Sequence, residues 1–303
     1  MDRIEIEVGA KINIGLSVGE REANGYHSLR SIFYAVDLLD RIELQIAGGN
    51  SIEIEGFTEC PAKDSTIFKA ARLFLEKHRI STGLRIRVRK QIPSQAGLGG
   101  GSADAAAILA GLNHLFGIAP ETTSLICLGA EIGSDVPFFL SDSPAFITGR
   151  GERVEPIHAR EPFSALIVKP PFGVSTREAF AGLVLHRAIK AKFAGYSPTS
   201  ASWGLADARS AEEALSLPIG QWAFYNDFSD YLFETFPIYK NLEKALKDSG
   251  AAYVSISGSG SCIYGIFVGP DQALDALRDF SAKTISGMAL YAIKPLERTL
   301  CLG

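Results

Sequence analysis

An α+β fold is predicted for this 303-residue chain from three features of its sequence. The first ninety residues are rich in strand-like alternation, a glycine-rich run opens an alanine-rich helix, and helical patterns mix with antiparallel strand pairs afterwards. Ile4, Ile6 and Val8 alternate, and comparable runs follow at 12–18, 29–36, 41–46, 52–54 and 84–88, as expected of a mostly antiparallel sheet. Asn24-Gly25 stands between two of these runs and predicts a hairpin turn. From Thr66 to His78, Ile67, Ala70, Ala71, Phe74 and Leu75 recur at helical spacing, which predicts an amphipathic helix against the sheet.

Ile108, Leu109 and Leu112 form a face in the alanine-rich run 102–115, read as a helix that begins at Ser102. The second half opens with an apolar strand over 163–168, stopped by Pro170-Pro171. Helical patterns follow over 238–249 and 271–283, with strands over 252–256 and 262–268 between them. The stretch 191–220 is the least periodic and reads as a surface insertion of no assigned structure.

Hydrophobic residues make up 47% and charged residues 21% of the chain, an ordinary globular composition able to bury a substantial core. A net charge of −4 argues against a broad nucleic-acid or anionic-membrane footprint but leaves room for a local basic pocket. Cys60, Cys127, Cys262 and Cys301 show neither C-x-x-C nor Cys/His metal spacing, and read as reduced thiols of a cytosolic protein. No signal or transit pattern opens the chain, and its apolar runs fall short of the roughly 18–20 residues of a spanning helix. The expectation is a cytoplasmic protein without a membrane segment.

Segment 92–106 reads Ile-Pro-Ser-Gln-Ala-Gly-Leu-Gly-Gly-Gly-Ser-Ala-Asp-Ala-Ala. Backbone without Cβ atoms approaches phosphate oxygens closely, and the free N–H groups of a following helix point at them. The chain carries no G-x-x-x-x-G-K-[ST] and no protein-kinase signature, and no G-x-G-x-x-G follows a parallel strand. Taken alone, the run equally describes a flexible loop before a helix. Four further motifs accompany it: Ala10-Lys11-Ile12-Asn13, Gly25-Tyr26-His27, Gly133-Ser134-Asp135-Val136-Pro137-Phe138-Phe139 and Ser257-Gly258-Ser259-Gly260-Ser261. Each has a plain structural reading as well. Ser134-Asp135 before Pro137 suits a helix cap, Lys11 a snorkelling strand lysine, Tyr26 a hairpin residue, and 257–261 a tight turn.

Together, in this order and spacing, the motifs resemble the GHMP kinases, a family named for galactokinase, homoserine kinase, mevalonate kinase and phosphomevalonate kinase. The family's nucleotide loop reads P-x-x-x-G-L-G-S/G-S-S/A, matched here by Pro93, Gly97, Leu98, Gly99, Gly100, Gly101 and Ser102. The resemblance runs from residue 10 to about 268 and leaves 191–220 unmatched. It implies a two-domain fold: a ribosomal-protein-S5-like nucleotide domain over 1–158 and a ferredoxin-like α/β sandwich over 159–303. It further implies ATP as phosphoryl donor, with Pro93, Ala96 and Gly97–Ser102 around its phosphates and Ser102 near Mg2+.

Within the family, Lys11-Ile12-Asn13, Tyr26-His27 and the Asp135 motif look most like the branch acting on a cytidine diphosphate methylerythritol, a small-molecule acceptor. By that resemblance Asp135 takes the proton of the acceptor's 2-hydroxyl, and Lys11 keeps Asp135 ionised and attracts the moving phosphoryl group. Asn13 holds the methylerythritol hydroxyls near Asp135, Thr176 belongs to the substrate-binding set, Tyr26 stacks on the base, His27 bonds its edge, and Phe180 closes the far side of the stack. A homoserine- or mevalonate-type kinase shares the loop but has no use for Tyr26-His27, while a non-catalytic binder of the same fold has no use for Lys11 and Asp135. Two positions depart from the family. Ser65 stands in Asp64-Ser65-Thr66 where an asparagine commonly faces adenine. Asn226-Asp227-Phe228-Ser229 lacks the usual glutamate.

Overall fold

The computed structural model describes residues 2–23, 25–57, 60–118, 122–159, 162–192, 205–283 and 287–303. The alternating runs at 4–8 and 12–18 fuse into one strand, β1 (Arg3–Arg21), and those at 29–36 and 41–46 into β2 (His27–Ala47). Register shifts at Gly9/Ala10, Ile14/Leu16 and Val18/Arg21 let the pair bend without ending, as bulges do. The two strands form an antiparallel ladder from Arg3↔Gln45 to Arg21↔His27, so the chain reverses at the predicted turn; Asn24 lies outside the described residues.

β4 (Gly83–Arg89) pairs antiparallel with β2 and parallel with β3 (Ile52–Glu55). β5 (Ala145–Thr148) joins β2, and β6 (Arg153–Pro156) joins β5. Helix α1 (Thr66–His78) packs against α2 (Gly100–Leu115), which lies on β1 and β2 beside α3 (Thr122–Ile132) and the single-turn α4 (Val136–Phe139). The apolar positions predicted for α1 are all buried.

A second sheet follows, with β7 (Phe163–Lys169), β8 (Tyr253–Ile256), β9 (Ile263–Val268) and β10 (Ala289–Ile293) in the order β10-β7-β9-β8. Every pair in it is antiparallel. Helices α5 (Thr176–Lys190), α6 (Ala208–Leu215), α7 (Phe228–Thr235) and α8 (Ile238–Asp248) separate β7 from β8, and α9 (Gln272–Lys283) separates β9 from β10. This is the β-α-β-β-α-β succession of the ferredoxin-like arrangement.

Two expectations need correcting. The chain does not stay in the second unit to its end: β11 (Pro295–Leu296) pairs with β2 and β12 (Leu300–Leu302) with β1. The outer edge of β1 at residues 6–8 would otherwise present unpaired N–H and C=O groups, and the returning segment satisfies them. The stretch 191–220 is not wholly irregular either. It contains α6, started by Asp207 and Ser210 in a reciprocal capping box, whereas 193–204 lie outside the described residues. A capping pair with Ala208, Ala211 and Leu215 at helical spacing was the available signal.

β1 links two cores. Ile4 through Ile14 belong to the first, while Leu16 and Val18 pack with Phe228, Leu232 and Tyr239 in the second. Leu16 also forms a parallel bridge with Asn226, and the Tyr264 hydroxyl donates to the Asn13 carbonyl at 2.5 Å. Lys11 and Asn13 therefore sit where the two units meet.

Candidate active site

Side chains two apart on a strand share a face. Ile12 and Ile14 enter the core, and Lys11 and Asn13 turn the other way, into a cavity of about 510 Å3. Lys11 is only 3% exposed. Its ammonium donates to Asn13 Oδ1, lies 4.5 Å from the Phe33 ring centre, and stands 3.8 Å from Asp135 Oδ2. Burial lowers the Lys11 pKa, and the nearby Asp135 carboxylate offsets part of that effect. Asn13 Nδ2 donates to Ser31 Oγ at 2.9 Å, which in turn donates to the Gly15 carbonyl at 2.6 Å. Asn13 lines the cavity, but its amide is committed to fixing Lys11.

The glycine loop lies against this lysine: Lys11 N–H donates to the Leu98 carbonyl at 2.9 Å. Ala96 and Leu98 are buried in the core, so their side chains anchor a loop whose backbone lines the cavity with Pro93, Gly97, Gly99, Gly100, Gly101 and Ser102. Gly97 has φ +74, and a Cβ there would lie 1.9 Å from the Ser257 carbonyl oxygen. Gly99 has φ +75, and its Cβ would meet the Phe139 ring at 2.9 Å. Gly99 caps α2, and the helix starts at Gly100, two residues earlier than Ser102. A glycine cap allows the left-handed turn that brings the first amides to the cavity. Ser102 becomes a first-turn residue lining the cavity instead of the cap.

Asp135 precedes α4, yet its side chain makes no capping hydrogen bond. It turns towards Lys11 and is 33% exposed at the cavity. The second glycine loop closes the opposite wall. Ser257 Oγ donates to the Gly97 carbonyl at 2.8 Å, and Ser259 Oγ meets Thr176 Oγ1 at 3.3 Å. Asn226 Nδ2 holds this loop through the Ile256 and Gly258 carbonyls at 2.8 and 2.9 Å. The motif that departs from the family pattern at Ser229 thus has a clear structural duty at Asn226.

A larger cavity, about 1190 Å3, adjoins the first, and Asp135, Thr176 and Phe180 line both. Its wall carries Tyr26 and His27. His27 Nδ1 is 2.9 Å from the Gly19 carbonyl; a carbonyl only accepts, so Nδ1 donates and a neutral ring presents Nε2 as an acceptor. The arrangement of rings differs from the expected sandwich. Phe180 stacks on His27, with centroids 5.4 Å apart and planes at 29°, instead of facing Tyr26. Tyr26 is 55% exposed and lies under the Arg150 guanidinium at 5.1 Å. The apolar Phe180 face, bordering a wet cavity, gains by being covered by another aromatic ring.

Ser65 does not reach the cavity. It is 2% exposed, caps α1 by accepting from Phe68 N–H at 3.1 Å, and donates to the Ala62 carbonyl at 2.6 Å. Its neighbour Thr66 lines the cavity instead and donates to the Gly101 carbonyl at 2.6 Å. Ser65→Ala is expected to cost about 1 kcal/mol in thermal or denaturant unfolding, the worth of an N-cap, with KM for ATP unchanged. A severalfold rise in that KM at unchanged stability would restore a nucleotide role.

Lys90 belongs to none of the sequence motifs. Its ammonium bridges Asp40 Oδ2 at 2.5 Å and Asp104 Oδ2 at 2.8 Å beneath the loop, while Asp40 Oδ1 accepts from Gln91 and Ile92 N–H at 2.6 and 3.0 Å. Burial alone would lower the Lys90 pKa, but Asp104 and Asp40 leave it raised; burial also raises the Asp104 carboxyl, against the pull of Lys90. A carboxylate inside an alanine-rich helix was the one available signal for this anchor.

A glycine-built loop, a lysine–aspartate pair at its rim and a second cavity beyond them are the kinds of parts that phosphoryl transfer asks of a protein. The chain belongs to the GHMP kinases, whose N-terminal and C-terminal family models match residues 65–149 and 209–284. Among its relatives is the 4-diphosphocytidyl-2-C-methyl-D-erythritol kinase of Shouchella clausii, 36% identical over 267 residues, covering 87% of this chain and 86% of the relative. The enzyme of that name from Syntrophotalea carbinolica is 34% identical over 293 residues, covering 95% and 97%. A crystal structure of 4-(cytidine 5'-diphospho)-2C-methyl-D-erythritol kinase superposes with a TM-score of 0.75 at 29% identity, covering 96% of this chain and 98% of that one. Homoserine kinase from Cytophaga hutchinsonii has the same TM-score at 22% identity, covering 100% and 98%, a likeness of fold alone. ATP is the phosphoryl donor of this kinase family, and among the described residues no helix is long and apolar enough to cross a membrane.

Proposed function

We propose that this protein transfers the γ-phosphoryl group of ATP to the 2-hydroxyl of 4-diphosphocytidyl-2-C-methyl-D-erythritol, in the non-mevalonate route to isoprenoid precursors, as a cytoplasmic enzyme. The observation that carries this reading is the pair of cavities meeting at Asp135, one walled by the glycine loop and the other by Tyr26, His27 and Phe180. ATP phosphates lie against the amides of 97–101, and the acceptor lies in the larger cavity with its hydroxyl at Asp135. Asp135 takes the hydroxyl proton as the oxygen attacks phosphorus. Lys11, 3.8 Å from the Asp135 carboxylate, holds it in place electrostatically and draws charge from the transferring group.

Thr176 orients the polyol from the shared wall, Tyr26 and Phe180 offer stacking surface to the cytosine, and His27 Nε2 accepts from its exocyclic amino group. Mg2+ suits the hard hydroxyl oxygen of Ser102. Among the described residues no group of three or more His, Cys, Asp or Glu side chains is placed to hold a metal ion. When bound, it neutralises phosphate charge. We further propose a domain division at 158/159, with 295–302 returning to the first domain.

Fold alone does not separate the acceptors, since homoserine kinase fits as well. Purified protein with Mg-ATP is expected to release ADP with the cytidylated acceptor and not with mevalonate, homoserine or galactose. Preference for one of the latter would overturn the acceptor, and release with none of the four would remove the proposed activity.

A further inference from the structure

One face of α5 carries Arg177, Phe180, Val184 and Arg187, spaced three, four and three residues apart, and all four line the larger cavity. Arg21 and Arg150 join them there. Four arginines against two acids, Glu20 and Asp135, leave the cavity lining with a cationic excess suited to an anion. The arginines are not equivalent, however. Arg187 is tied down, its Nη1 donating to the Val18 carbonyl at 2.8 Å and its Nη2 to Asp227 Oδ2 at 2.6 Å. Arg21 donates to the Gly25 carbonyl at 2.9 Å, and Arg150 stands 3.7 Å from Glu152 while covering the Tyr26 ring. Arg177 is exposed and makes no hydrogen bond or ion pair among the described residues.

Its place along the helix gives Arg177 a use. Thr176, one residue before it, lines both cavities as Asp135 does, and Phe180, stacked on His27, lies about 4.5 Å beyond Arg177 along the helix axis. An acceptor with its reacting hydroxyl at Asp135 and its base at His27 and Phe180 must run its diphosphate link past the residue between those points. We propose that Arg177 is a specificity-determining residue that binds the acceptor's diphosphate in the cavity that Arg150 also lines. The proposal rests on the acceptor reading given above. An exposed guanidinium with no internal partner is free to offer a fork of N–H donors to phosphate oxygens.

Arg177→Gln is expected to raise KM for 4-diphosphocytidyl-2-C-methyl-D-erythritol about tenfold or more, the scale of a lost charge-assisted hydrogen bond. The loss should fall on KM more than kcat and leave KM for ATP and the melting temperature near wild type. It should also flatten the fall of kcat/KM with added salt, and Arg177→Lys should recover most of the affinity by restoring the charge. Inhibition by cytidine diphosphate and by cytidine supplies a second readout. Wild type should favour the diphosphate by about tenfold or more, and Arg177→Gln should erase most of that preference. Unchanged KM, salt dependence and diphosphate preference in Arg177→Gln, with an active wild type, would overturn the proposal alone. A wild type that neither turns over the cytidylated acceptor nor binds cytidine diphosphate would overturn the acceptor reading and this proposal with it.

Discussion

Asp135→Asn is expected to lower turnover by at least about a hundredfold, the scale of a lost general base, and to leave ATP binding close to wild type. The carboxylate makes no capping bond for α4 and stands 3.8 Å from Lys11 at the junction of the two cavities. Its removal therefore takes away a proton acceptor without removing a helix cap. The amide is nearly isosteric and one-third open to solvent, so the melting temperature should shift by no more than a few degrees. ADP release, nucleotide titration and thermal unfolding measured on one preparation separate these effects. Near-normal turnover in the variant would remove Asp135 from the chemistry, and a collapse of stability would assign it the role of a cap.

On the proposed mechanism Lys11→Met should have a comparable effect on turnover, at least about a hundredfold, because it removes the cation assigned to the transferring group. Its effect on stability should have the opposite sign to that of most core substitutions. The ammonium is buried, and burial outweighs the help of Asp135 in setting its lowered pKa, so folding works against the charged form. Methionine keeps the volume and a favourable contact with Phe33. Asn13 Oδ1 still has the Ser257 hydroxyl at 3.4 Å, and Asp135 is open to solvent.

The melting temperature of Lys11→Met at neutral pH is therefore expected to equal or exceed that of wild type. The pH dependence follows from the direction of the shift. The unfolded chain binds the Lys11 proton more tightly, so wild type carries the full penalty below the depressed folded value. It sheds that penalty as pH rises towards the ordinary value of 10.5, and the advantage of Lys11→Met should narrow over that range. Thermal unfolding at a series of pH values tests this. A variant clearly less stable than wild type at neutral pH would mean that the Lys11 contacts outweigh its desolvation.

The sequence by itself determined much of this protein because its informative signals are local. Alternation at Ile4, Ile6 and Val8, the apolar face of 66–78, and glycines ahead of an alanine-rich run depend on neighbours within a few residues. The order of the Lys11, glycine-loop, Asp135 and Ser257 motifs was enough to suggest a family. The tertiary structure decided how those motifs meet. Whether Asp135 caps a helix or faces Lys11 depends on β1 crossing from one core to the other and carrying Lys11 to the junction. Whether Ser65 or Thr66 reaches the cavity depends on which of them the first turn of α1 uses as its cap. The return of 295–302 to the first sheet, the stacking of Phe180 on His27, and the bridging of Asp40 and Asp104 by Lys90 join residues of different elements, 14 to hundreds of positions apart. Periodicity carries no record of such pairings. They are fixed when buried polar groups and open strand edges must find partners, and only the assembled chain supplies them.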